Sequence, residues 1–170
     1  MSELINALAA TAVDDYPGGT VYTYNALDAL RARILVVEQG GKAFPHGEDI
    51  GAPDHDETGR WAGILNDAGF EPGMYSWWNA IPVGLQRPDT VQDKAKARTY
   101  LKRVVALHDR LFVIIAVGSV AQEVVKAVGT NIKVVKSRSP LRTNNGQRED
   151  IREAFAEARA YAYPVGLDRD

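Results

Sequence analysis

The chain has 170 residues, 45% of them hydrophobic and 25% charged, with a formal net charge of -2 and no cysteine. This length suits one domain over residues 1–170, burying roughly two-thirds of the surface that the unfolded chain exposes. The lack of cysteine excludes disulfides, thiolate metal sites, iron–sulfur clusters and a cysteine nucleophile, and the slight acidity means that a polyanion has to be met by a local basic patch.

The first residues, Met1 to Tyr16, carry acidic groups where a signal peptide carries basic ones, and no apolar run approaches the roughly 20 residues of a membrane span. A soluble, cytoplasmic monomer that uses no membrane is the expectation. Leu4, Ile5, Leu8, Ala9 and Ala12 recur at helical spacing, and Tyr16-Pro17-Gly18-Gly19 stops this first helix. Ile34 to Gly41, ILVVEQGG, is a β-branched run closed by two glycines, which reads as a buried parallel strand turning into a loop after Val37. Lys42 to Glu57 has no apolar period and is long for a connection in a compact domain, a frequent property of functional loops. Thr58 to Phe70 carries Trp61, Ile64 and Leu65 at helical spacing, with Gly69 as the stop. Met74 to Gly84 is aromatic and β-branched as far as Pro82, a second core strand with the polar Asn79 near its end.

Asp89 to His108 reads as a longer amphipathic helix, with lysines and arginines on its outer side. Arg110 to Ser119 is the strongest strand signal, and Ser119 to Gly129 follows as a helix with Ser119 as N-cap and Gly129 as C-cap. Asn131 to Val135 is the next strand and Gln147 to Ala162 the final helix. This alternation predicts an α/β fold of three layers, α/β/α, around a short parallel sheet of about four strands. Ligands of such sheets sit beyond the carboxyl ends of the strands, where strand order reverses, so the residues after Val37, Ile81, Val117 and Val135 are the ones to weigh.

Each has a functional and a plain reading. Glu38-Gln39-Gly40-Gly41 offers a carboxylate that can orient water beside glycines that let a ligand approach, or a turn with a solvated glutamate. Asn79 offers donor and acceptor together, as reading a base edge requires, or an amide paired with a neighbouring strand end. Gly118-Ser119 opens a helix whose free N–H groups suit phosphate, or is simply a cap. Ser137-Arg138-Ser139-Pro140 presents two hydroxyls and a guanidinium to phosphate oxygens, or is a Ser-Pro turn with a surface arginine. His46, Asp54, His55 and Asp56 lack a framework that sets ligand spacing and read as a solvated acidic loop, so neither a metal nor a cofactor is expected. His108, near a helix end, reads as a capping residue.

In order along the chain these loops resemble the uracil-DNA glycosylase superfamily. The stretch from Val37 to Leu65, with Glu38-Gln39-Gly40-Gly41, Glu48-Asp49, Gly51, Pro53 and Gly59, is similar to its first motif, which often reads G-E-A-P-G-x-x-E-D. Trp77-Trp78-Asn79-Ala80-Ile81-Pro82 is similar to its T-N-V-V-P strand end, Gly118 to Gln122 to its G-S-x-A-Q helix start, and Ser137 to Leu141 stands where the family has H-P-S-P-L. The resemblance spans about Ile34 to Leu141. It implies a uracil-DNA-glycosylase-like fold and a DNA glycosylase of base excision repair, acting on uracil or a related modified base flipped from single-stranded or lesion-containing DNA. Glu38, Ser137 and Arg138 would be catalytic, Gln39, Gly40, Phe44 and Asn79 would hold the base, and Gly118, Ser119, Ser139 and Arg142 would contact phosphate. The family's histidine is replaced by Ser137 and its first proline by Arg138, so the alternative is a relative that binds a nucleotide or nucleic acid without hydrolysing it. A further alternative is a protein-interaction module, for which Trp61, Trp77 and Trp78 would be the surface, although core packing explains these three better.

Overall fold

The computed structural model describes residues 2–21, 31–42, 60–85, 90–140 and 145–164. Its elements in order are α1 (Ser2–Asp15), β1 (Thr20–Val21), β2 (Ile34–Lys42), α2 (Arg60–Asp67), β3 (Tyr75–Leu85), α3 (Thr90–Leu107), β4 (Val113–Val117), α4 (Gly118–Val128), β5 (Lys133–Ser137) and α5 (Asn145–Ala162). The strands form one sheet in the order β1-β3-β2-β4-β5. β3, β2, β4 and β5 are mutually parallel, and β1 adds two antiparallel residues at the edge, Thr20 opposite Gly84 and Val21 opposite Val83.

Continuous apolar runs on the central strands are the physical reason for the three layers, because a strand buried on both faces needs helices over both. Leu35, Val37, Trp78, Ile114 and Ala116 pack with α1, α3 and α4, through Ile5, Ala9, Leu101, Val104, Ala121 and Val124. Ile34, Val36, Trp77, Ile115, Val117 and Val135 pack with α2 and α5, through Trp61, Ile64, Leu65, Ile151, Phe155 and Ala158. The connection from β2 to β3 crosses on the α2 side, whereas those from β3 to β4 and from β4 to β5 run the other way across the sheet and use the opposite side. One handedness for all three crossovers requires this arrangement. Trp61, Trp77 and Trp78 are all buried, which assigns them to these cores and not to an interaction surface.

Several boundaries differ from those read in the sequence. β1 is too short to leave a periodic signal, and it exists because β3 offers it an edge. β3 continues past Pro82 to Leu85, because the β2 ladder is irregular there: Gly40 pairs with Ile81 but Lys42 with Leu85, so the missing proline N–H falls opposite the irregularity. β4 begins only at Val113, with the Phe112 and Val113 N–H groups both bonded to the Arg33 carbonyl. β5 is shifted to Lys133–Ser137 because β4 pairs with it up to Val117 opposite Ser137. The N-cap of α4 is Val117, which makes no side-chain capping bond, and not Ser119, since the chain leaves the fully buried β4 directly into the helix. The stop at Gly69 is as expected: with φ at 70°, it lets Gly69 N–H reach Asn66 O at 2.9 Å and Phe70 N–H reach Leu65 O at 2.8 Å, a Schellman closure of α2.

Beneath α2 and α5 an aromatic cluster ties the second core together. The Trp61 and Trp77 rings meet edge to face at 5.0 Å, and the fully buried Phe155 ring lies 5.6 Å from Trp61 and 5.5 Å from Phe70. At the amino end of the strands, Arg33 donates to the Ala162 carbonyl and lies between the Phe112 and Tyr163 rings, 5.5 and 5.1 Å from their centroids, which fastens the end of α5. There too His108 closes α3 as the sequence suggests: its Nδ1–H donates to Val104 O at 2.8 Å, and its Nε2 accepts from the Ser76 hydroxyl at 2.7 Å.

Phe155→Ala should lower unfolding free energy by about 3–5 kcal/mol, measured by urea denaturation, because the Trp61 and Phe70 rings lose contact with it. Burial pushes His108 below its ordinary pKa of 6.5, against smaller opposing effects of the Val104 carbonyl and Asp109. With the folded value below the unfolded one, stability is complete above about pH 6.5 and falls as pH drops toward the folded pKa, by at most about 1.4 kcal/mol per pH unit for the one proton. His108→Gln should remove this share of the acid dependence in denaturation curves recorded between pH 7 and pH 5.

Candidate functional site

All four parallel strands point their carboxyl ends to the same side of the sheet. The chain goes from β2 to β3 in one direction and from β4 to β5 in the other, so order reverses between the adjacent strands β2 and β4. That is the position where open α/β sheets bind ligands.

The register fills this end with a definite set of side chains. Trp77, Val36, Ile115 and Val135 stand opposite one another across the four strands, an apolar row facing α2 and α5. Two residues further on, Asn79 is opposite Glu38 and Val117 opposite Ser137. Val37 is opposite Ala116, so Glu38 and Val117 are also neighbours. Because side chains alternate along a strand, Asn79, Glu38, Val117 and Ser137 form the next row on the α2 and α5 face. With strands about 4.8 Å apart, Asn79 and Glu38 are adjacent while Ser137 lies about 10 Å from Glu38, across the apolar Val117.

Asn79 and Ser137 are buried and Glu38 is half-buried. Asn79 lies within β3, as the sequence reading has it, whereas Glu38 and Ser137 belong to the strands themselves and not to loops after them, because pairing with the neighbouring strand extends those ladders beyond their last β-branched residue. Gly40 has a φ of 64°, and a Cβ there would come within 2.6 Å of both Asn79 Cβ and Ile81 O. Only glycine lets β2 lie this close against Asn79. Gln39 is exposed on the next position of β2.

At the other side of the row, the β5 end is fastened to the start of α4. Gln122 Nε2 donates to Ser137 O at 2.9 Å, the Ser137 hydroxyl donates to Arg138 O at 3.1 Å, and Ser139 packs beside Gly118, whose added Cβ would meet Ser139 Cβ at 3.8 Å. Gly118 and Ser139, both assigned to phosphate in the sequence, are thus neighbours, and the exposed Ser119 follows on the first turn of α4. Arg138 is exposed, and its Nε is 3.8 Å from Asp150 Oδ2 on α5. The structure therefore sets Glu38, Gly40 and Asn79 side by side, places Ser137 on the same row but two strands from Glu38, and leaves the Arg138 guanidinium on the surface beside α5. Phe44, Arg142 and the acidic loop with His46, Asp54, His55 and Asp56 lie outside the described residues. Among the described residues no group of three or more His, Asp or Glu side chains gathers as metal ligands, and no helix is long and apolar enough to cross a membrane.

Two residues of this site are given no role by sequence reasoning, Gln122, which enters only as the last residue of the G-S-x-A-Q match, and Asp150. Gln122 follows Gly118 by one helical turn, a spacing that puts it on the side of α4 facing β5. Asp150 carries no local signal, since only the packing of α5 against β5 brings it to Arg138.

Gly40→Ala should destabilise the fold by about 2 kcal/mol or more, from left-handed strain together with the clash against Asn79. Gly73→Ala is the reference, with a φ of 89° and nothing within 4 Å of the added Cβ, and thermal unfolding of the two variants should separate strain from clash. In comparisons with known proteins, no protein-family model matches the chain and no curated protein matches it significantly.

Proposed function

We propose that the carboxyl end of the sheet binds a uracil-like or otherwise modified base flipped from DNA and hydrolyses its N-glycosidic bond, in the manner of the uracil-DNA glycosylase superfamily that the sequence resembles. The observation that carries this reading is the row at the strand-order reversal, in which an amide, a carboxylate and a hydroxyl stand on one face of neighbouring strands above an apolar row. Such a combination suits a base: the amide meets its polar edge and the apolar surface takes its ring. In the proposed reaction Asn79 holds the base edge while the bond from the sugar C1′ to the base nitrogen breaks, the electron pair leaving with the base. The Glu38 carboxylate opposes the positive charge that develops on the sugar and orients a water, whose oxygen bonds to C1′ and whose proton passes to Glu38. The departing base anion takes a proton from solvent.

A binding-only reading is favoured by one observation. The Ser137 hydroxyl proton is committed to the Arg138 carbonyl and the exposed Arg138 guanidinium lies beside Asp150, an arrangement that offers the row no ready-made leaving-group electrophile.

The decisive measurement is release of free base from single- and double-stranded oligonucleotides carrying uracil, hypoxanthine or xanthine. Release supports the glycosylase, binding without release supports the second reading, and neither outcome removes both. If base is released, Glu38→Gln should slow it by about 10²–10⁴-fold at unchanged folding, checked by single-turnover kinetics beside urea denaturation.

A further inference from the structure

We propose that Arg138 and Asp150 form a displaceable pair, in which the guanidinium leaves the Asp150 carboxylate for a backbone phosphate of single-stranded DNA entering the candidate site, while Gln122 holds the segment that carries Arg138. This rests on the nucleic-acid reading above and adds a residue that competes with the ligand and a residue that positions the loop.

Three observations carry it. The first is the weakness of the pair. Arg138 Nε and Asp150 Oδ2 are 3.8 Å apart, beyond hydrogen-bond length, and the two side chains are 62% and 60% exposed. Exposed pairs of this kind hold little energy and are screened by salt, whereas a guanidinium binds a phosphate through two parallel bonds. The second is the contrast between main chain and side chain. Gln122 Nε2 holds Ser137 O, the Ser137 hydroxyl holds Arg138 O, and Ser139 is packed beside Gly118, so the backbone of Arg138 is fixed while its side chain extends into solvent. The third is local charge. On this end of α5, Glu149 is paired with Arg152, which leaves Asp150 as the carboxylate that faces Arg138. Lys136, one residue before Ser137 on β5, is exposed and adds a second cation to the same edge. A phosphate arriving here gains Arg138 and meets repulsion from Asp150, so the carboxylate both occupies the cation in the free protein and opposes the ligand.

The measurement is the dissociation constant of a fluorescein-labelled single-stranded oligothymidylate, by anisotropy, over a range of salt concentrations. Asp150→Asn should tighten binding by about two- to five-fold, more than Glu3→Gln, which removes the same charge from α1 on the opposite layer. Arg138→Ala should weaken binding, lower the slope of log affinity against log salt by about 0.7, and abolish the gain from Asp150→Asn in the double variant. Gln122→Ala should weaken binding in the parent background and add nothing in the Arg138→Ala background, which separates positioning of Arg138 from a general loss of stability. Tighter binding that depends on Arg138 establishes the exchange. An unchanged or weakened affinity for Asp150→Asn, or a gain that persists without Arg138, overturns it while the nucleic-acid reading stands. If the parent chain binds no oligonucleotide at any salt concentration, the nucleic-acid reading itself is overturned and the exchange with it.

Discussion

A strand that is paired on both edges and covered on both faces has no freedom of register, and β2 is such a strand. Slipping it by one residue would turn Leu35 and Val37 from the α1, α3 and α4 layer to the α2 and α5 layer and reverse Ile34 and Val36, exchanging every contact in both cores. Its pairing with β3 and β4 is therefore fixed by the burial of four consecutive apolar residues, all of them inaccessible to solvent. The position of Glu38 follows directly, as the first polar residue after that run, opposite Asn79 and beside Val117. Hydrophobic patterning of the core thus sets the geometry of the polar row above it.

The two sides of the row are held by different means. On the β3 side the contact is steric: Gly40 lets β2 approach the Asn79 side chain so closely that no other residue fits. On the β5 side it is polar: the Gln122 amide and the Ser137 hydroxyl bind successive carbonyls, and these bonds continue the β4–β5 connection after ladder pairing ends. A close steric fit defines a rigid wall, whereas a chain held through its carbonyls leaves the Arg138 side chain exposed to solvent. A close-fitting wall that bears the Asn79 amide, beside a tethered segment with an exposed cation, is the arrangement on which the proposed base and phosphate contacts rest.

Among the described residues, the opposite end of the sheet has no comparable polar row. His108, Ser76, Arg33, Phe112 and Tyr163 fasten helix ends to strand starts, and their polar atoms are spent on one another and on backbone carbonyls. A buried serine and histidine 2.7 Å apart invite a catalytic reading, but Ser76 and His108 are closed off from solvent and the histidine is oriented by the α3 carbonyl, which makes the pair a lock between β3 and α3.

Much of the architecture is legible in the chain because burial leaves a periodic trace: the runs ILVV and VIIAV mark strands covered on both faces, and Leu101, Val104 and Trp61 mark the inner faces of their helices. Gly69 and Gly129 mark helix ends because each needs a left-handed backbone that other residues resist. The sequence also points to Glu38, Asn79 and Ser137 individually, as polar residues standing just past apolar runs. Only the tertiary structure decides that they share one row, because facing depends on strand order and on the parity of each register, neither of which is written in any single segment. The same holds for β1, which exists because β3 has an open edge, and for Asp150, which meets Arg138 because α5 folds back along β5. Local sequence determines what each segment can become, while contacts between distant segments determine which side chains meet, since those contacts are selected by the packing of the whole core.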